Sequence, residues 1–448
     1  MIARLRREFA LHPVRSMAAI GLIHALVFLN LKLFVAGGPW WRGWADQIHY
    51  LESARAFLRF DLSPEPHWYP LLYPLGAAPF AWMPAPFVPL NIACFALSFA
   101  GFRRVCARLD VGAGAAILLF LATTLLDWRI AKLWLEPWST TLSTALVWLA
   151  LAEAADWIAG EGRRPALLGA LLGLAVLARP SDLSIALVVA PFAMWRPVIR
   201  EGQWRVPLMA TAGGVAVLAG YALLHLAVYG ARWSDYALLS REMGFNFADL
   251  PWRMSVLLVA PSMWFPGEIG LLRAMPWLIL GVAGAILAPF ALSGQKRALA
   301  ACLGLAGLAY CLTMLAYVDL LPSGMFRYNN VHYFKWLFPL LGLTTLLLVR
   351  LGREHRRAAA GVLAGLLLLT CFRYEAVPVT AGLPARALVY GTREVNLDSI
   401  YLARSTLDGQ RNMFDYHQMP RSDHELIAVA LKRDFTEVGV WNPAGDAG

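Results

Sequence analysis

Charged residues are scarce in this chain of 448 residues, because only 15% are Asp, Glu, Lys or Arg, against about 25% in soluble domains. Hydrophobic residues make up 59%, where soluble domains have roughly 45–50%, and the mean hydropathy is +0.56. This composition excludes an ordinary soluble globular protein. The apolar residues come in long runs between short basic clusters, and this pattern predicts an all-α, polytopic membrane protein.

Cysteine is also scarce, with 5 residues in the chain. Cys106 is expected to lie in a basic loop, and the other four fall inside apolar runs. This placement indicates neither a disulfide framework nor a metal cluster, so we interpret the cysteines as small apolar side chains of a helical bundle. The net charge of +10 needs no nucleic acid as a partner, since the positive-inside rule accounts for basic clusters between apolar spans.

Hydropathy predicts a transmembrane bundle of about eleven helices. The predicted spans are 16–37, 70–101, 112–127, 138–158, 166–178, 182–195, 207–228, 274–293, 298–318, 332–349 and 358–372. The first is of spanning length and lacks a small-residue cleavage site, so it is expected to be a retained helix rather than a signal peptide. The second is long enough to contain a surface helix before its span.

The basic clusters predict which loops share a side of the membrane. The clusters are Arg4 to Arg7, Arg103 to Arg108, Arg163 and Arg164, Arg196 to Arg205, Lys296 and Arg297, and Arg350 to Arg357. If all are cytoplasmic, an even number of spans must separate neighbouring clusters, and the hydropathy allows this. The N-terminus is then cytoplasmic. The predicted outer segments are 38–69, 128–137, 179–181, 229–273, 319–331 and the tail after Phe372.

The chain is predicted to have two parts. Residues 1–372 form the transmembrane domain, and residues 373–448 form a polar extracytoplasmic tail. The tail is too small for a catalytic domain of common size, and its segment from Asp423 to Leu431 could form a short helix.

The first outer loop contains the most informative residues. Asp46 follows the first span by a few residues, so its carboxylate should lie at the membrane surface beside an amphipathic helix over 48–60. A carboxylate there suits proton abstraction from a hydrophilic acceptor while a lipid-linked donor stays in the membrane. The alternative is that Asp46 caps the helix that follows it, since Asp is a favoured N-cap residue.

Four stretches in order resemble the C-type glycosyltransferase (GT-C) superfamily of polytopic membrane enzymes. The first is Asp46 and Tyr50 followed by Trp68-Tyr69-Pro70-Leu71-Leu72-Tyr73-Pro74-Leu75. The other three are Leu177-Ala178-Arg179-Pro180-Ser181-Asp182, then Val259-Ala260-Pro261-Ser262 with Gly267, Gly270, Leu271, Leu272 and Pro276, and then Phe326-Arg327-Tyr328 with His332, Tyr333 and Lys335. The likeness covers about residues 40–345. Within the superfamily, the chain most resembles bacterial polyprenyl-phosphate-sugar-dependent transferases of the mannosyltransferase type.

This resemblance implies both an activity and a location. It implies a GT-C-like bundle in a bacterial inner membrane, with Asp46 as the catalytic base. The enzyme would transfer a sugar from a polyprenyl-phosphate donor to an extracytoplasmic glycan, lipid or protein in cell-envelope glycan biosynthesis, with inversion at the anomeric carbon. Many members carry an adjacent acidic pair where this chain has Asp46 and Gln47. The resemblance therefore leaves open whether a divalent metal, Mg²⁺ or Mn²⁺, is bound.

The proposed reaction also needs cations, because its leaving group is a dianionic polyprenyl phosphate. Arg327, His332 and Lys335 are the first candidates, and Arg179 is added because an ionisable residue at the edge of a span is usually functional. Arg327 could instead snorkel or form a structural ion pair, and Arg179 could pair with Asp182. Tyr50 and Tyr69 of the first outer loop complete the predicted substrate-binding residues.

Two other functional classes remain open. A lipid or polysaccharide transporter or flippase would place charges near the middle of the bilayer, on broken helices in paired positions, whereas the candidates here gather at one face. A non-catalytic scaffold of an envelope-polysaccharide system would retain its function when Asp46 is changed to Asn.

Overall fold

The computed structural model describes residues 13–34, 45–245, 247, 250–259, 269–317, 320, 330–352 and 356–372, and five short strands after them. The helices are α1 (Pro13–Phe34), α2 (Ala45–Leu58), α3 (Leu72–Ala77), α4 (Phe87–Arg108), α5 (Ala113–Thr124), α6 (Trp128–Leu135), α7 (Ser139–Ala159), α8 (Pro165–Ala178), α9 (Leu183–Trp195), α10 (Arg205–Tyr229), α11 (Asp235–Met243), α12 (Leu250–Leu258), α13 (Leu271–Ala274), α14 (Trp277–Ala291), α15 (Gly294–Ala316), α16 (Leu337–Leu351) and α17 (Arg356–Phe372). Short 3-10 turns include Pro180–Asp182 and Asn330–Phe334.

The predicted helical membrane bundle is confirmed in its coarser form. Among the described residues, 6 helices are long and apolar enough to cross a membrane, or up to 7 if α5 and α6, which are bent by 89° at their junction, form one span. Four shorter apolar helices, in α8, α14, α16 and α17, overlap further predicted spans. The count of eleven crossing helices and the GT-C-like architecture stay predictions.

The second predicted span divides as the sequence suggested. A short helix, α3, and a 3-10 turn over Ala78–Phe80 precede the long helix α4. A helix is also present where the amphipathic helix over 48–60 was expected, as α2, which begins earlier, at Ala45, and ends at Leu58. By contrast, Cys106 lies inside α4 and is buried there, not in a loop.

Helix α7 is the most buried of the candidate spans and packs against α4 and α8. Helix α8 in turn packs closely against α10. A Cβ atom added to Gly169 would lie 1.7 Å from the Ala210 carbonyl oxygen, and one added to Gly213 would lie 2.0 Å from that of Ala166. Only glycine therefore fits at these two positions, as in the close helix pairs of membrane proteins.

The predicted basic clusters that the structure describes meet at one end of the bundle, here called the basic end. The contacts are Arg104 with Glu153 (2.9 Å) and Asp156 (2.5 Å), Arg164 with Glu153 (2.8 Å), Arg196 with the Ala159 carbonyl (3.0 Å), Arg350 with the Asp110 carbonyl (3.1 Å), and Lys296 with the Asp110 carboxylate. If the basic clusters lie on the same side of the membrane, as predicted, they must meet at one end of the bundle in this way. Arg4 to Arg7 lie outside the described residues.

The chain forms two compact units. Unit 1 comprises Met1–Tyr236, Trp277–Cys311 and His332–Gly365, and unit 2 comprises Ala237–Pro276, Leu312–Val331 and Leu366–Gly448. Within unit 2, the fully buried Arg253 of α12 donates to the Leu315 carbonyl (3.0 Å) and to the Tyr317 carbonyl at the C-terminal end of α15. The predicted boundary at residue 372 stays a prediction.

The tail contains strands β1 (Arg386–Ala387), β2 (Ser399–Ser405), β3 (Asn412–Gln418), β4 (Ala428–Leu431) and β5 (Val438–Trp441). Strands β2 and β3 form an antiparallel pair, and β1, β4 and β5 form an antiparallel sheet in that order with β4 in the centre. The helix expected over Asp423 to Leu431 is wrong where it falls on β4. Hydrogen bonding to two neighbouring strands outweighs the weak local preference for helix.

Candidate functional site

The first two turns of α7 carry buried hydroxyl side chains that each hold a side chain from another segment. We call Ser139, Thr140, Thr141 and Ser143 the hydroxyl row. Their hydrogen bonds are Tyr50 Oη to Ser139 Oγ (3.1 Å), Thr140 Oγ1 with His332 Nδ1 (3.1 Å), Lys335 Nζ to Thr141 Oγ1 (2.6 Å) and Ser143 Oγ to Asp182 Oδ2 (2.5 Å). The row therefore brings together α2, the Asn330–Phe334 turn and the Pro180–Asp182 turn.

The hydroxyl row lies at the end of unit 1 opposite the basic end. Ser139 precedes Glu153 by fourteen residues of one continuous helix, which is about 21 Å along its axis. We call this second end the polar end. Serine and threonine are stable there because each hydroxyl has a partner, and a buried hydroxyl without one would cost free energy.

Asp46 lies at the polar end, in the first turn of α2. It is the second residue of the helix rather than its N-cap, and its Oδ1 atom accepts a hydrogen bond of 2.6 Å from the Tyr69 hydroxyl. Desolvation raises the pKa of the Asp46 carboxyl above its usual range, although the Tyr69 hydrogen bond and nearby His49 act in the opposite direction. Such a carboxylate is a stronger base than an exposed one and still has a second oxygen for a proton.

Aromatic rings pack against Tyr69, which donates to this carboxylate, and against the neighbouring His49. The Tyr69 ring lies 4.9 Å from that of Tyr50 and 4.8 Å from that of Tyr236, and His49 stacks on Trp68 at 5.9 Å. Burial, together with the charge of Asp46, holds the pKa of Tyr69 well above its usual range. The Tyr69 hydroxyl therefore remains protonated and acts as a hydrogen-bond donor to Asp46.

Arg179 is buried between α8 and the Pro180–Asp182 turn. Its guanidinium carbon lies 4.4 Å from the centre of the Tyr333 ring, a favourable cation–π arrangement. Within the described part of the chain, the Nη1 atom of Arg179 has no hydrogen-bond partner. The suggested partner, Asp182, is within electrostatic range of Arg179, and its Oδ2 atom accepts a hydrogen bond from Ser143. The Nη1 atom of Arg179 therefore remains a donor for an anionic group.

Lys335 is the second buried cation of the polar end, with no exposed surface. Its ammonium donates to Thr141 and lies 5.8 Å from the Trp134 ring. Glu136 is an acidic residue within electrostatic range of Lys335, and its carboxylate contacts Lys132 at 3.4 Å and accepts from the Trp138 indole at 3.0 Å. Lys335 and Arg179 are within electrostatic range of each other, so two like charges are held together in the protein.

His332 completes the cationic side of the site. Its ring stacks on Trp138, with the centres 4.0 Å apart and the planes 14° from parallel. Its Nδ1 atom is hydrogen-bonded to Thr140, and both Lys335 and Arg179 are within electrostatic range. The stacking and the hydrogen bond fix the orientation of the imidazole toward the two cations.

The predicted site residues that the structure describes therefore come together at the polar end: Asp46, Tyr50, Tyr69, Arg179, His332 and Lys335. Arg327 lies outside the described residues. The hydroxyl row, Glu136 and Tyr236 were not among the predicted site residues. A run of Ser and Thr at the start of an apolar span was a usable signal for the hydroxyl row, whereas Tyr236 reaches the site only through the fold.

The described residues do not fit a bound divalent metal. They contain no group of three or more His, Cys, Asp or Glu side chains placed to hold an ion, and the neighbour of Asp46 is Gln47. Mg²⁺ and related ions prefer several oxygen ligands, commonly including more than one carboxylate. The polar end instead presents two buried cations, and the carboxylates of Asp46, Asp182 and Glu136 there each accept a hydrogen bond from a different side chain and do not converge on one point.

The chain matches no protein-family model, no curated protein and no solved structure. Its resemblance to the C-type glycosyltransferases stays a prediction carried by the four sequence stretches. The geometry of the polar end is consequently the basis for assigning a function.

Proposed function

We propose that this protein is an integral membrane glycosyltransferase that moves a sugar from a polyprenyl-phosphate donor to an acceptor at the polar end. The observation that carries the proposal is the meeting of a base, Asp46, and two buried cations, Arg179 and Lys335, around one hydroxyl row. A transfer from a sugar phosphate needs both kinds of group at once.

The burial of the two cations at the polar end is the unusual feature of this arrangement. The positive-inside rule accounts for arginine and lysine at the basic end, but Arg179 and Lys335 lie at the opposite end and are buried. Removing a charge from water costs several kcal/mol, so buried charges near membrane spans usually serve a function. A dianionic phosphate is the type of ligand that two fixed cations stabilise.

The base, Asp46, belongs to α2, which contacts the hydroxyl row through Tyr50. In the proposed reaction, the Asp46 carboxylate takes the proton of an acceptor hydroxyl, whose oxygen forms a bond to the anomeric carbon. The bond from that carbon to the phosphate oxygen breaks, and its electron pair leaves with the polyprenyl phosphate, which Arg179 and Lys335 hold. One displacement of this kind inverts the anomeric centre. The hydrogen bond from Tyr69 fixes the carboxylate in place.

Native mass spectrometry tests this function. Wild-type protein and Asp46→Asn are each supplied with a mixture of polyprenyl-phosphate hexoses and pentoses and with acceptor extract. We expect the Asn variant to retain a lipid whose mass includes one sugar, and the wild type to consume it. Glu65→Gln, an exposed acid of the same loop, should behave as wild type. Failure of every protein to retain a phosphoprenyl lipid would refute the assignment of the donor.

We also propose that the polar end is extracytoplasmic in a bacterial inner membrane, with the N-terminus in the cytoplasm. Single cysteines placed at Glu65 and at Lys296, in a background without native cysteines, report the two ends. We expect an impermeant thiol reagent to label position 65 in intact cells and position 296 only after permeabilisation. The reverse pattern would contradict this orientation, because Lys296 belongs to the basic end.

A further inference from the structure

Gln47, the residue after Asp46, is fully buried. Neither its amide nitrogen nor its amide oxygen has a hydrogen-bond partner within the described part of the chain. Most buried polar side-chain atoms in proteins have at least one partner, because a buried amide without hydrogen bonds is destabilising. An amide with both of its groups unsatisfied therefore indicates that something outside the protein pairs with it.

The position of Gln47 on α2 indicates where that partner lies. Residues three apart on a helix are neighbours on its surface, so Gln47 shares a face with Tyr50. The Tyr50 hydroxyl donates to Ser139 of the hydroxyl row, so this face of α2 is directed toward the first turn of α7. Gln47 thus lies on the side of α2 that meets the polar end, in the same helical turn as Asp46.

The chemistry of a carboxamide narrows the class of ligand. The group has two N–H donors and a carbonyl acceptor and carries no charge, so it offers no specific attraction to a phosphate or a metal ion. It suits a ligand that both donates and accepts hydrogen bonds, such as adjacent hydroxyl groups of a sugar. In the proposed reaction, the donor's sugar must lie between the base and the cations that hold its phosphate. The shared face of Gln47 and Tyr50 is directed toward that place.

We propose that Gln47 is a specificity-determining residue that hydrogen-bonds hydroxyl groups of the sugar carried by the polyprenyl-phosphate donor. This inference rests on the proposed function, and it assigns the recognition of the sugar and of the phosphate to different residues. Gln47 distinguishes a lipid that bears the sugar from one that does not, and Arg179 and Lys335 bind the phosphate of both.

Two probes of equal chain length test this division: a polyprenyl phosphate and a polyprenyl-phosphate hexose. Their affinities are measured for detergent-solubilised wild type, Gln47→Met and Gln47→Leu, together with the melting temperature of each lipid-free protein. Arg55→Met is the matched control, because Arg55 is an exposed residue of the same helix. We expect wild type and control to prefer the sugar-bearing lipid. Both Gln47 variants should lose about tenfold or more of that preference, where tenfold is 1.4 kcal/mol, and bind the bare phosphate as before.

The melting temperatures provide an independent readout. Because the variants remove an unsatisfied buried amide, we expect them to melt at or above the temperature of the lipid-free wild type. A clear decrease in both variants would mean that the amide is already satisfied in the protein, and would overturn the inference. An unchanged preference for the sugar-bearing lipid would overturn it as well, with the proposed function intact. If the wild type bound neither lipid, the proposed function would fail and this inference with it.

Discussion

Replacing Asp46 by Asn is expected to lower the rate of sugar transfer by about 100-fold to 10,000-fold, the usual contribution of a general base, with the fold retained. Asparagine has nearly the same shape and still offers an oxygen to the Tyr69 hydroxyl, which donates to Asp46 at 2.6 Å. It cannot take the proton of the acceptor. Single-turnover transfer from a preloaded donor measures this step apart from binding, with Glu65→Gln as the control. Undiminished transfer in the Asn variant would show that Asp46 is not the base.

The pH dependence provides a second check on Asp46. Only the ionised carboxylate accepts a proton, and burial raises its pKa above the usual range. We therefore expect transfer to decline on acidification with an apparent pKa above that of an exposed aspartate. A carboxyl whose pKa is raised by folding favours the folded state when protonated, and this contribution is lost as the pH rises through the raised pKa. The Asn variant should accordingly be more stable than wild type at neutral pH, and this difference should vanish in acid.

Replacing Lys335 by Met is expected to weaken donor binding by about 2–5 kcal/mol, the typical cost of removing one member of a buried charge pair. This corresponds to roughly 30-fold to several thousand-fold in affinity. The reason is that the fully buried ammonium, held by Thr141, is one of the two fixed charges available to the phosphate. Titration with the bare polyprenyl phosphate measures the loss, with Lys296→Met at the basic end as the control.

The same variant separates a functional lysine from a structural one. Methionine needs no desolvation of a charge and matches the length of the lysine stem, so the free energy of unfolding should stay the same or increase. A structural Lys335 would behave in the opposite way. Its replacement would then lower the melting temperature and leave the affinity for the phosphate unchanged.

The parts of the site that could be predicted are those with a local signal. Helix α2 follows from the helical spacing of its apolar residues, and Arg179 and Lys335 stand out because charges near apolar spans are rare. The 89° bend between α5 and α6 has no such signal in hydropathy. At this bend Asp127, the last residue of the predicted span 112–127, accepts a hydrogen bond from the Arg129 backbone and caps α6. Helix α6 itself lies in the predicted outer segment 128–137.

Other parts depend on residues far apart in the chain. Tyr236 lies 167 positions after Tyr69, and their contact arises only when the bundle forms. Strand β4 was predicted as helix because its pairing with β1 and β5 is not visible from within its own sequence. Gln47 was seen only as a departure from an acidic pair, since its burial depends on the packing of α2 and not on its neighbours in the chain.

The four hydrogen bonds of the hydroxyl row form only when α7 has one particular rotation about its axis. Each residue of an α-helix advances the side chains by about 100° around its axis, and Ser139, Thr140, Thr141 and Ser143 are bonded to four different partners. A single residue inserted just after Ser143 would leave this row in place and rotate the Glu153 end instead. A single residue deleted between Thr141 and Ser143 would separate the Asp182 partner from the other three. The length of α7 between its two ends is therefore as much a part of the site as the side chains themselves.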